Sequence, residues 1–270
     1  MHYGKRSLAS TVGNRTVVVL RVIAPDASTN YMAAEFFDRV FNNSVLSLRS
    51  GYNACSYGQL IFKPTTHALA VNGVASITIN INAIGTEVNT IENAVKTAAN
   101  KTLGDLSSQF NHVMITLPPG VIRNGQTFTS SYAYLGGYIS VFPSPRIGFM
   151  STTRHEIAHN LNLDHSGEGA EEYGDQTCIM GYTYSTTYLP KMCFNGAKSF
   201  NFGWYSSRTI TVSVFTSDTA PFIEQYSLIG NADYQISNND AGSLVVVKLE
   251  SGSTDYYIYF NRKSGINAEV

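Results

Sequence analysis

Three of the six histidines stand within eleven residues, as His155-Glu156-Ile157-Ala158-His159 followed by His165. On a helix, residues i and i+4 share a face, so His155 and His159 can turn imidazole nitrogens toward one ion. Glu156 sits beside the first of them, placed to take a proton from water without binding the ion itself. His165 lies six residues beyond His159, too far along to share that face on a continued helix. The chain must therefore turn sharply after His159, and Asn162 is the residue there that tolerates positive φ, second only to Gly. Three neutral imidazoles leave the fourth position of a tetrahedral zinc open, the arrangement of a catalytic rather than a structural ion. The bland alternative is a helix whose histidines are ordinary surface or satisfied core groups. The spacing of all three makes that the weaker reading.

Such side chains need a rigid helix, and the helix needs a layered core behind it. A helix over about Ser151 to Leu161 carries the pair. Upstream, Val17 to Ala24 is a β-branched run closed by Pro25-Asp26 and reads as a buried strand. Ser28 or Thr29 can cap a helix over Tyr31 to Phe41. Gln59 to Lys63 and Ala75 to Ile81 alternate with period two and predict strands. Glu87 to Leu103 places Val88, Ile91, Val95, Ala98 and Ala99 on one face of a helix that Gly104 ends. Asn111 to Leu117 and Tyr138 to Phe142 complete the strand set. After Trp204 the texture changes to short strands, over Arg208 to Phe215, Phe222 to Ile229, Leu244 to Leu249 and Tyr256 to Asn261. A boundary near Tyr205 divides an α+β domain, residues 1–205, from a β-rich segment, residues 206–270.

The 270 residues include 43% apolar and 14% charged positions, with 18 Lys plus Arg against 19 Asp plus Glu. This balance excludes a nucleic-acid binder acting through bulk positive charge, and a disordered charged tail. The most apolar run, Thr16 to Ala24, is nine residues long and carries Arg21, against the roughly 20 apolar residues of a membrane-spanning helix. Residues 1–15 have Lys5 and Arg6 but no apolar stretch of signal-peptide type, so a secreted protein would here be a mature or excised form. Sequons at Asn14, Asn42 and Asn100 and the low charge suit a life outside the cytosol. Three cysteines allow one internal disulfide; Cys178 and Cys193, close in sequence, are the preferred pair, leaving Cys55 to seek a partner elsewhere. His67 and His112 lack any paired ligand pattern and read as structural or surface residues.

The stretch His155 to His165 resembles the metzincin zinc-protease signature, and Cys178-Ile179-Met180-Gly181-Tyr182 resembles the Met-turn that follows it. Within that clan the chain is most similar to the gametolysin-type peptidases, which digest extracellular matrix and cell-wall glycoproteins. Cys55-Ser56-Tyr57-Gly58, Glu172-Tyr173-Gly174-Asp175, Cys193-Phe194-Asn195 and Phe202-Gly203-Trp204 carry that closer resemblance. Asn162 stands where the clan has Gly, at a cost of about 1 kcal/mol. The resemblance implies a zincin-like fold, a twisted mixed sheet with an active-site helix. It implies a catalytic zinc on His155, His159 and His165, with Glu156 as general base. It also implies Met180 as an apolar floor, Tyr182 as support for the oxyanion, and Tyr138 to Phe142 as an edge strand above the cleft.

The expected partner is a protein or peptide substrate, cleaved by a secreted monomer without nucleic acid or membrane. Glu168, Glu171, Glu172 and Asp175 crowd one loop and offer oxygens to a calcium ion, although such clusters are more often solvated loops. Two rivals stand beside the peptidase: a zinc hydrolase of another bond, and a silent matrix-binding module whose working part is the β-rich tail.

Overall fold

The computed structural model describes residues 11–43, 46–181, 192–213, 224–235 and 242–268. Its first elements are β1 (Gly13–Ile23), α1 (Ala33–Phe41), α2 (Leu48–Cys55), β2 (Leu60–Pro64), β3 (Val74–Thr78), α3 (Val88–Leu103), α4 (Leu106–Gln109) and β4 (His112–Leu117). Next come β5 (Ile122–Arg123), β6 (Gln126–Thr127), β7 (Tyr132–Ala133), β8 (Ile139–Pro143) and α5 (Met150–Asn160). The chain closes with α6 (Gly196–Phe202), β9 (Thr209–Ser213), β10 (Val246–Ser251) and β11 (Thr254–Tyr259).

The β-branched run forms the middle of β1, where Val17, Val18, Val19 and Leu20 have no exposed surface. That is the pattern of a parallel strand covered on both faces. β1 pairs in parallel with β2 and then β3 along one edge and with β4 along the other. β4 pairs in parallel with β8, and antiparallel β7 ends the sheet. The fold is thus α+β with a twisted mixed sheet, as the resemblance implies. One assignment changes. Tyr138 to Phe142, expected at the edge, is the interior strand β8, and the edge falls to Tyr132–Ala133. A two-residue strand has no period of its own for a pattern to reveal.

Alternation along the strands divides the core in two. Val17, Val19, Met114 and Phe142 face a cluster that includes Phe36 of α1, Tyr52 of α2, and Ile157 and Ala158 of α5. Val18, Leu20, Val113, Ile115 and Val141 face Ile91, Val95, Ala99 and Leu103 of α3. Helix α3 ends as predicted at Gly104, with φ of 82°. Helix α2 buries Leu48, Tyr52 and Cys55 on one face, but it is only eight residues long and its interior Gly51 lowers helix propensity, so the sequence pattern passes over it. The structure shows why Gly is there: a Cβ on Gly51 would lie 2.6 Å from Arg154 Cδ. The glycine lets α2 lie directly against α5.

The disulfide corrects the sequence expectation. Cys55, at the end of α2, bonds to Cys193, and Cys178 is a buried free thiol. Sequence proximity misled here. The Ile179 N–H does donate to the Cys193 carbonyl at 3.0 Å, but the Cys178 sulfur faces the other way. It accepts from the Asn195 N–H at 3.3 Å and from the Ser166 hydroxyl at 3.2 Å.

The tail forms a three-stranded sheet in the order β11–β10–β9. The expected strand Phe222 to Ile229 begins outside the described residues; from Glu224 on it contributes only an isolated bridge between Leu228 and Leu244. This sheet shares the core of the histidine side, since Val245 and Val246 belong to the cluster of Phe194 and Trp204. The Cys193 N–H donates to Asn267 Oδ1 at 2.8 Å, and the Tyr57 hydroxyl donates to the Asn231 carbonyl. No helix among the described residues is long and apolar enough to cross a membrane.

Candidate metal centre

Helix α5 is built unlike a surface helix. Ser151, Thr152, Thr153, Arg154, His155 and Glu156 are all buried, so their polar groups must find partners inside the protein. The Thr153 hydroxyl donates to the carbonyls of Ile147 and Phe149, each at 3.1 Å. Arg154 donates to the Met192 carbonyl at 2.8 Å, and the Tyr52 hydroxyl donates to the Arg154 carbonyl at 2.8 Å. At the far end, Asn160 Nδ2 donates to the carbonyls of Tyr134 and Ile139 at 3.0 and 2.9 Å. The helix is locked to the sheet at its C-terminal end and to the Met192 backbone through Arg154.

Past Asn160 the chain reverses. Asn162 adopts φ of +70°, its N–H reaches the His159 carbonyl at 2.8 Å, and the Leu163 N–H reaches Ala158 at 3.0 Å. This left-handed residue swings His165 back over the helix. The ring centroids lie 4.7 Å apart for His155 and His159, 4.7 Å for His159 and His165, and 5.3 Å for His155 and His165. One nitrogen from each ring falls within 4.8 Å of the others, and this is the one convergence of three metal-donor side chains among the described residues.

The outer nitrogens decide what the inner ones can do. His155 Nδ1 meets the Ile179 carbonyl at 2.9 Å and His159 Nδ1 meets the Leu163 carbonyl at 2.7 Å. His165 Nδ1 pairs with the Glu172 carboxylate. A carbonyl can only accept, so the protons of His155 and His159 belong on Nδ1, and Nε2 carries the lone pair. Those two lone pairs face each other across 3.1 Å. Two acceptors at that distance repel unless a cation sits between them, so the donor set fits a metal ion. Burial pushes the His155 pKa down to about 3, its bond to Ile179 opposing the shift; burial also lowers His159. Both rings are therefore neutral, as ligands must be. Burial pushes Glu156 up to about 8, and a divalent cation next to it would pull it back toward the carboxylate.

The turn after the third histidine reaches the triad through the Ile179 carbonyl on His155. Met180 is fully buried with Ile157 and Ala158, and its carbonyl accepts from the Ser166 N–H at 2.7 Å. Gly181 closes a turn onto the Cys178 carbonyl at 2.9 Å. A Cβ on Gly181 would sit 1.8 Å from the Asp175 carbonyl, so no other residue fits. Tyr182, and the expected pocket residues 184–191, lie outside the described residues.

The acidic loop disperses rather than gathering. Glu172 goes to His165, Asp175 accepts from Asn195 Nδ2 at 2.7 Å, and Glu168 and Glu171 close a small backbone turn. The calcium site expected there is not formed among the described residues. Pattern reading also gave no role to Tyr173, whose ring centroid lies 4.1 Å from that of His165 and 6.2 Å from that of His155. Its sequence signal is its place in Glu172-Tyr173-Gly174-Asp175, one of the stretches that carry the family resemblance. His67 and His112 stand apart from the triad: His67 meets the Phe110 ring, and His112 is buried against Phe62.

Compared with known families, residues 23–255 match the model of the Gametolysin peptidase M11 family. The chain belongs to the gametolysin family. That family is one of peptidases, as the resemblance of His155 to His165 and of the turn at Met180 implied. This gametolysin-family chain is 32% identical over 95 residues to Autolysin of Chlamydomonas reinhardtii, a match covering 33% of the chain and 14% of Autolysin. Among solved structures it is similar to archaemetzincin of Methanopyrus kandleri, at 13% identity and a TM-score of 0.40 over 70% of this chain and 93% of that one. It is also similar to OgpA of Akkermansia muciniphila, at 15% identity and a TM-score of 0.45 over 73% and 61% of the two chains.

Proposed function

We propose that the chain is a secreted zinc endopeptidase that cuts extracellular matrix or cell-wall glycoproteins at internal peptide bonds. The observation that carries this reading is the convergence of three imidazoles, each held by its outer nitrogen, beside a buried carboxyl group. His155, His159 and His165 would hold the ion. Zinc, when bound there, supplies a Lewis acid that acidifies water and polarises a carbonyl.

The rest of the chemistry belongs to the chain. Glu156 takes the proton as the oxygen of water bonds to the scissile carbonyl carbon. It then delivers that proton to the amine nitrogen as the C–N bond breaks. A carboxyl group held near neutral pKa by burial is suited to both halves of that transfer. Tyr182, two residues past Met180, is assigned to the developing oxyanion. The outer edge of β7 pairs with no strand among the described residues, so its free backbone groups can receive an extended peptide. A disulfide between Cys55 and Cys193 supports an oxidising compartment. Metal analysis coupled to a chelator-sensitive protease assay tests the reading. One zinc per chain, with cleavage lost on chelation and restored by zinc, is expected; cleavage that survives complete metal removal would refute it.

A further inference from the structure

On the face of the sheet opposite the histidines, α3 carries a carboxylate that its apolar surroundings do not explain. Glu92 is 1% exposed, on α3 between Ile91 and Val95, which belong to the second core cluster. It accepts a hydrogen bond from the Tyr132 hydroxyl at 2.5 Å and from the Tyr134 hydroxyl at 2.9 and 3.0 Å. Lys96, one turn along α3, completes its environment at 3.1 Å. The Arg123 guanidinium lies over the Tyr132 ring, 4.6 Å from its centroid. A buried carboxylate costs several kcal/mol unless such partners satisfy it, and here two of the three partners belong to one short segment.

That segment is the sheet edge. β7 pairs with β8 through only Tyr132 and Ala133, too few ladder bonds to hold a strand in place. Residues 132–137, which contain β7, are tied from the opposite side to α5. Asn160 Nδ2 binds the Tyr134 carbonyl at 3.0 Å, and the Gly136 N–H donates to the His159 carbonyl at 2.8 Å. Gly136 has φ of +65°, and a Cβ there would lie 3.0 Å from Asn162 Oδ1. Residues 132–137 therefore bridge a carboxylate on one face of the sheet and the histidine helix on the other.

We infer that Glu92 is a positioning residue for peptide binding: through the Tyr132 and Tyr134 hydroxyls it holds the edge strand at the height and register at which an extended substrate meets the histidine centre. This inference rests on the peptidase reading above. Glu92 touches neither substrate nor metal. It acts by removing the freedom of a strand whose own ladder is too short to fix it, so its effect belongs to substrate binding over several residues.

The test compares Glu92→Gln, Tyr134→Phe and the double variant in the full zinc-loaded chain. Two substrates are used, an eight-residue peptide and a blocked dipeptide amide too short to lie along β7. The expected result for Glu92→Gln is a roughly tenfold rise in KM for the long peptide, with kcat and the short substrate nearly unchanged. The double variant should be no worse than the poorer single one, because both break the same link. Hydrogen exchange should quicken in residues 132–137 and not in β1. An unchanged long-peptide KM in Glu92→Gln, with a parent that cleaves peptides, would overturn the inference alone. So would equal losses on both substrates or additive effects in the double variant. A parent that cleaves neither substrate with zinc bound would overturn the peptidase reading and this inference with it, whatever the exchange data show.

Discussion

Helices α3 and α5 flank the same sheet and are stabilised by opposite means. On α3, Ile91, Val95, Ala99 and Leu103 are buried while most intervening residues face solvent. Apart from the Glu92 network, its hold on the sheet is area removed from water, worth about 25 cal/mol per Å² of apolar surface. On α5 nearly every residue is buried, polar ones included, and its hold is a set of satisfied hydrogen bonds to carbonyls of neighbouring segments. Net, each such bond adds only about 1 kcal/mol, but leaving a buried donor unpaired costs more than the bond gains. The first device tolerates change gradually. The second is specific, and it leaves reactive groups in a dry, fixed place.

That contrast separates stability from chemistry, and substitutions can break or sharpen it. The largest effect is expected on α5: Glu156→Ala should lower kcat by at least about a thousandfold, some 4 kcal/mol of barrier. Zinc content and melting temperature should hardly move; cleavage at the parent rate would remove Glu156 from its role. Next is the cross-link between the two halves of the histidine side. Cys55→Ser is expected to cost roughly 4 kcal/mol, as for a closed loop of a hundred residues or more, read from denaturant midpoints. On α3, Ile91→Ala should cost about 3 kcal/mol with kcat unchanged in the protein that remains folded. A matching loss of kcat would show that the two faces are not separable.

The smallest effect concerns pH. Burial holds His112 at a pKa of about 4, the neighbouring Asn160 amide opposing the shift, against an ordinary value of 6.5. The unfolded chain therefore takes up a proton before the folded one does. The stability gained by keeping this ring neutral is full above about pH 6.5 and declines as pH falls toward 4. In metal-free protein, moving from pH 7 to 4.5 should cost the parent about 2 kcal/mol more than it costs His112→Gln. Equal slopes for the two proteins would contradict this.

The same contrast explains what was legible beforehand. α3 announces itself because burial of one stripe leaves a period in the sequence, and β1 and β4 do so through β-branched runs. The ends of α5 could be placed, and its histidine spacing stood out, because metal ligation imposes its own period. Three features left no local trace. α2 needs Gly51 for a close approach that only the fold creates. β7 is too short to alternate. The partner of Cys55 is set by where α2 ends in space, 138 positions from Cys193 along the chain. The loop carboxylates were legible as a cluster, but their destinations, Glu172 on His165 and Asp175 on Asn195, depend on a turn whose path no spacing rule supplies.

The bond from Cys55 to Cys193 makes the intervening polypeptide a covalent ring, and His155, Glu156, His159, His165 and Met180 all lie inside it. A single backbone cut anywhere between residues 56 and 192, by this enzyme on its neighbour or by another, opens the ring without releasing a fragment. The part that holds the histidine centre is thus the part that survives a nick in one piece, and such nicked chains would separate on a gel only after reduction.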